Sequence, residues 1–146
     1  MNESPSVSPM HTGICVSDLK KSSAFYSEAL GFTADVNMEG LGAPLDALIE
    51  LPGQTVDVCQ LHNGGMRIEL VKVSGGATGS TGRRPMNQRG LTHLTFQVNG
   101  IENVMDRVKA QGGQVHMETW IDSAFGKIVF CTDPDGTRIE LVQPPG

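Results

Sequence analysis

The chain has 146 residues and a mass of 15.6 kDa, a length that fits one compact unit with its own core. Its formal net charge of −5 and pI of about 5.2, with no basic stripe carrying interleaved aromatics, exclude a phosphate-backbone binder, so no nucleic acid is expected as a partner. No apolar run approaches the length of a membrane helix, and the opening MNESPSVSPM lacks the basic start and apolar stretch of a signal peptide.

Residues 1–8 therefore read as a flexible lead-in to a cytoplasmic protein that does not enter a membrane. Residues 11–16 then alternate as a strand does. Ser17-Asp18 caps a helical pattern that buries Leu19, Tyr26 and Leu30 and stops near Gly31. Strands are expected at about 32–37, 55–61 and 66–73, the last two joined by the turn HNGG. The Gly/Ser-rich stretch SGGATGSTGRRPMNQRG, residues 74–90, reads as a mobile connector. A second strand follows at 93–98, and Asn99-Gly100 precedes a helix that buries Ile101, Val104, Met105 and Val108 and ends at Gly112-Gly113. Strands close the chain at about 114–117, 127–131 and 137–142, the last pair joined by DPDG. Cys15, Cys59 and Cys131 are odd in number and form no CxxC, which reads as free thiols in a reducing compartment.

The second series repeats the first. Setting His11 over His93, an offset of 82, aligns Ile14 with Phe96, Val16 with Val98, Leu19 with Ile101, and Gly31 with Gly113. RIELV occurs at 67–71 and again at 138–142. Each half opens on a histidine and closes on a glutamate. The expected fold is α+β: two tandem βαβββ modules, 9–73 and 91–143, forming a curved mixed sheet around a metal-binding cleft.

Alternation also assigns faces. Thr12, Ile14 and Val16 lie opposite His11, and Leu94, Phe96 and Val98 lie opposite His93. Ile68 and Leu70 oppose Glu69, as Ile139 and Leu141 oppose Glu140. Polar residues on an exposed sheet face are routine, yet four at matching places in two repeats point to a site. If the modules pair so that these faces curve together, His11, Glu69, His93 and Glu140 converge. Two imidazoles and two carboxylates make a four-ligand set for one divalent metal ion (Co, Ni, Zn, Mn or Fe) with coordination positions left open.

These residues and their surroundings resemble the vicinal oxygen chelate superfamily, the glyoxalase I and methylmalonyl-CoA epimerase group. The resemblance covers about residues 9–143. It rests on H-x-x-x-x-V from His11, FY-x-x-x-LGF from Phe25, GLTHLTFQV at 90–98, and F-x-T-DPDG-x-x-IEL at 130–141. It implies the same four ligands and an isomerase or lyase that abstracts a proton next to a metal-bound carbonyl, of the epimerase or lactoylglutathione lyase type. Glu140 is then the leading base. A glutamate at position 69 resembles that group more than the extradiol dioxygenases, although an iron-dependent dioxygenase and a non-catalytic binding or resistance protein stay open. Many relatives dimerise, some with the site across subunits, so a homodimer is expected.

An epimerase also profits from a second acid, and Asp57 lies 12 residues before Glu69, where an epimerase-like sequence carries one; an exposed strand aspartate is the alternative. Arg67 and Arg138 alternate onto the ligand face, which fits an anionic substrate or a carboxylate partner. Arg83, Arg84 and Arg89 could clamp an anion or merely coat a loop. Trp120 and Phe125 flank a cleft rim or an ordinary loop, and the unrepeated His62 and His116 read as surface residues. The expected partner is a small molecule, with a CoA thioester or glutathione adduct as candidates.

Overall fold

A computed structural model describes residues 3–146. Met1 and Asn2, the first two positions of the expected lead-in, lie outside the described residues, and residues 3–8 are exposed and irregular. The first module runs β1 (Thr12–Cys15), α1 (Leu19–Ala24), β2 (Thr33–Leu41), α2 (Leu45–Leu48), β3 (Val56–Asn63) and β4 (Met66–Val73). The second runs β5 (Leu94–Gln97), α3 (Ile101–Ala110), β6 (Gln114–Ser123), β7 (Gly126–Thr132) and β8 (Arg138–Gln143).

Each module folds into its own four-stranded mixed sheet, ordered β1-β4-β3-β2 and β5-β8-β7-β6. The opening strand of each pairs in parallel with its closing strand, and the remaining pairs are antiparallel. The tandem βαβββ fold is thus present as two sheets, in which, among the described residues, β1 and β5 are edge strands with no strand on their outer sides, rather than as one continuous sheet. The short helix α2 and the length of β6 were not expected. Leu45 and Leu48 lack the apolar periodicity of a longer helix, and the β6–β7 hairpin turns at Ala124-Phe125, which carries no Asn-Gly signal.

Asp18 caps α1 by accepting from the Lys21 backbone N–H at 2.9 Å. The helix then widens into a π-helical stretch, Phe25–Ala29. That widening turns two adjacent aromatics, Phe25 and Tyr26, inward together, and both are fully buried. They pack edge to face with each other, and Tyr26 meets Phe32, which in turn meets Phe96 of the second module. One core results, running from Ile14, Leu61, Ile68 and Leu70 to Ile101, Val108, Ile139 and Leu141.

Polar contacts close the same seam. The Tyr26 hydroxyl donates to Asp133 Oδ2 at 2.8 Å, and Asp133 Oδ1 accepts from the N–H groups of Asp135 and Thr137 within the DPDG turn. Burial drives the Asp133 carboxyl and the Tyr26 hydroxyl above their ordinary pKa values. Connector 74–90 has no regular structure, but it is anchored rather than loose. Arg83 pairs with Glu118 of β6 at 2.6 Å, and the Arg84 carbonyl accepts from Arg138 at 2.6 Å. Gly136, at φ +92°, lies so close to the Thr81 carbonyl that any Cβ there would collide with it.

Candidate metal centre

The two closing strands place their glutamates by register. Gly13 of β1 lies beside Glu69, and Thr95 of β5 beside Glu140. His11 precedes β1 by one residue and His93 precedes β5 by one, so each imidazole stands next to its module's carboxylate. His11 Nε2 is 3.5 Å from Glu69 Oε1, and His93 Nε2 is 3.9 Å from Glu140 Oε1. All four side chains are between 21% and 28% exposed, open enough for an ion to reach.

The four do not converge in one chain. Among the described residues no group of three or more His, Cys, Asp or Glu side chains is close enough to hold a metal ion. The expected convergence of the four on one cation is therefore absent among the described residues of the chain, which holds two His–Glu pairs, one per module. Of the two arrangements expected, within one chain or across subunits, the first is not seen. The reason lies in how the modules meet. They join through their apolar, helix-covered faces, and the end of β1 lies against the start of β8, where the Ser17 N–H donates to Asp135 Oδ2 at 3.0 Å. At the far end of β5, Gln97, Val98 and Asn99 share a cleft with Asn63 of the β3–β4 turn. Among the described residues the two opening strands are not paired with one another, and His11 and His93 belong to separate His–Glu pairs.

Asp57 is the second correction. Register pairs Asp57 with Lys72 and Gln60 with Glu69, so Asp57 projects to the helix side with buried Cys59 and Leu61, away from the ligand face. Its Oδ1 accepts from the Gly40 N–H at 2.8 Å, which fastens β2 to β3. It is not placed to act on a substrate beside Glu69.

The residue at that place is Gln60. Its Nε2 donates to Glu69 Oε2 at 2.7 Å, which leaves Oε1 toward His11. The signal was in the sequence: pairing across the Gly64-Gly65 turn assigns residue 60 to residue 69. The equivalent place in the second module holds Phe130, whose ring meets His93 edge to face at 5.5 Å. There Thr95 Oγ1 donates to Glu140 Oε1 at 3.1 Å, and Thr92 Oγ1 lies 2.9 Å from His93 Nδ1, leaving Nε2 free on the carboxylate side.

His62 belongs to a cluster with Asp35 and Arg67, and those two partners hold the Asp35 carboxyl below its usual range. His116 is half-buried against Thr132, with its pKa lowered by burial first and by Arg83 next. Trp120 packs against the core, while Phe125 is exposed at the tip of the β6–β7 hairpin. The three cysteines are free thiols, and burial pushes that of Cys131 up to about 12.

Comparison with known proteins agrees with this architecture. A family model described as Glyoxalase/Bleomycin resistance protein/Dioxygenase superfamily matches residues 9–141. A mouse protein named methylmalonyl-CoA epimerase, mitochondrial, is 28% identical over 137 residues, covering 91% of this chain and 71% of its own length. A glyoxalase family protein of Bacillus cereus superposes with a TM-score of 0.84 at 19% identity, covering 100% of this chain and 99% of its own. A mutant of the fosfomycin resistance protein FosX of Listeria monocytogenes, crystallised with Mn(II) and 1S,2S-dihydroxypropylphosphonic acid, superposes with a TM-score of 0.63 at 17% identity, covering 94% of this chain and 93% of its own.

Proposed function

The chain belongs to the glyoxalase/bleomycin resistance protein/dioxygenase superfamily, and from that premise we propose that it is a divalent-metal-dependent isomerase or lyase. The reaction would be proton abstraction next to a metal-bound carbonyl, methylmalonyl-CoA epimerase-like or glyoxalase I-like. The observation that carries this reading is the pair of His–Glu contacts at repeat-equivalent positions on the two sheets. The likeness to the mouse epimerase favours a carbonyl substrate such as a CoA thioester.

Each half offers one imidazole nitrogen and one carboxylate oxygen, a donor set that fits Co, Ni, Zn, Mn or Fe. Two protein donors fall short of the three or four that hold such an ion firmly. Unpaired edges at β1 and β5 leave both half-sites beside surfaces that another chain can cover. In the proposed homodimer, His11 and Glu69 of one copy meet His93 and Glu140 of the other, giving two equivalent sites.

When bound, the ion polarises the substrate carbonyl and stabilises the oxyanion that forms. His11, Glu69, His93 and Glu140 would hold it, with Glu140 able to leave the ion and act as base. Glu140 takes the proton from the neighbouring carbon and returns it to the same carbon or the adjacent one. The hydroxyl of Thr95 and the ring of Phe130 flank this base.

Subunit mixing tests the arrangement. A heterodimer of one His11→Ala and one His93→Ala chain, isolated through two different affinity tags, has one intact site and one doubly damaged site. It should hold about half the wild-type manganese or cobalt, with each homodimeric variant holding far less. A site built within one chain predicts no such recovery, and wild-type protein without metal affinity would defeat the proposal outright.

A further inference from the structure

Arg67 and Arg138 occupy equivalent places in the two RIELV segments, on the same sheet face as Glu69 and Glu140. Their surroundings differ. Arg67 Nη1 donates to Asp35 Oδ2 at 2.7 Å, so its charge is matched within the fold. Among the described residues no carboxylate lies within 4 Å of the Arg138 guanidinium. One of its nitrogens donates to the Arg84 carbonyl at 2.6 Å, and its central carbon stands 4.9 Å over the Phe130 ring. Those contacts fix the plane of the group and leave other N–H donors unused.

A cavity of about 580 Å³ opens between the edge of β1, the connector and the β7–β8 turn, with Arg138, Arg84 and His93 on its wall. That volume admits a small organic molecule. Arg84 also lacks a carboxylate partner among the described residues, and its Nη2 donates to the Arg89 carbonyl at 3.1 Å. One carboxylate, Asp135, lines the cavity, but the backbone N–H and the hydroxyl of Ser17 occupy its two oxygens. In a chain of net charge −5, two guanidinium groups with no ion-pair partner among the described residues thus stand at one concave wall beside His93, against the single hydrogen-bonded carboxylate of Asp135. A concavity with two positive charges against one negative favours anionic ligands.

We propose that this cavity seats an anionic group of the substrate, a carboxylate or a phosphate, with Arg138 as its main contact and Arg84 as its second. The assignment to substrate rests on the proposed metal-dependent function; the anion site itself does not need it. Arg138 grips the anion through two parallel N–H donors, as guanidinium groups do with planar oxyanions. The substrate then reaches the reacting centre with its charged end fixed and its carbonyl toward His93 and Glu140.

Calorimetric titration with inorganic phosphate and with malonate tests this, on chelator-treated protein and again after manganese loading. Wild type should bind at least one of the two probes in the millimolar range, and the tighter one identifies the anion. Arg138→Gln should weaken that binding about tenfold, and Arg138→Lys should recover part of it by restoring charge without the planar fork. Arg67→Gln, which removes the same charge from the matched position, should bind like wild type. Equal binding by wild type and Arg138→Gln, an equal loss in Arg67→Gln, or no binding of either probe to wild type would overturn the inference. Arg138-dependent anion binding in a protein that takes up no manganese would instead retire the metal reading and leave the anion site standing.

Discussion

The two half-sites descend from one pattern and are furnished differently. In the first module, Glu69 has one oxygen held by Gln60 at 2.7 Å and the other facing His11, while Gly13 beside it contributes no side chain. In the second, Glu140 stands between Thr95 and Phe130, with one weaker hydrogen bond at 3.1 Å on the oxygen that faces His93. Arg67 is neutralised by Asp35, and Arg138 is not. A carboxylate clamped by an amide suits a ligand that stays put. One bordered by an aromatic ring and a single hydroxyl can swing and accept a proton. The proposed division of labour follows from this: the first half would hold the ion, and the second would react and meet the substrate.

Exchanging the roles of the glutamates gives the largest effect. Glu140→Gln should lower solvent-deuterium exchange into methylmalonyl-CoA, or turnover of a methylglyoxal–glutathione adduct, by about 10²–10⁴-fold. Glu69→Gln keeps an oxygen donor toward His11 and should keep most of that activity. Equal losses in the two variants would erase the distinction between the halves. Gln60→Leu should come next, with metal affinity reduced about 10–100-fold in a titration with Co(II) or Mn(II), and an altered Co(II) absorption spectrum. Thr95→Val should weaken metal binding less than Gln60→Leu does, because its bond is longer and more exposed.

The halves work together only while the seam between them holds. Tyr26→Phe deprives buried Asp133 of its hydroxyl donor and should cost about 1–3 kcal/mol in denaturant unfolding at neutral pH. The smallest effect is on pH dependence. Burial raises the Asp133 pKa above its unfolded value, so the stability linked to its proton is complete below the ordinary carboxylate range and is lost as pH rises through the raised value. Asp133→Asn does not ionise. The melting temperature of wild type relative to that variant should therefore fall between acid and neutral pH.

Much of this was legible in the residues. Period-2 alternation around His11, Glu69, His93 and Glu140, the two RIELV copies, and the HNGG and DPDG turns report local geometry, which the chain dictates within a few residues. Alternation alone misassigned Asp57. A residue's parity within one strand does not say which side faces the helices, and only pairing across Gly64-Gly65 puts Gln60, not Asp57, beside Glu69. The two RIELV copies likewise look identical until Asp35, supplied by a β2 bulge, is seen to neutralise one arginine and leave the other unmatched.

From the sequence alone came the repeat, the elements, the candidate histidines and glutamates and the face they share, because each depends on short-range periodicity and turn chemistry. The tertiary structure alone decided how the modules meet. Packing of Phe25, Tyr26 and Phe32 against the second module, fastened by Asp133, joins the halves through their apolar sides and leaves the two His–Glu pairs apart. Burial of apolar surface between distant segments sets that arrangement, and no local pattern along the chain encodes it.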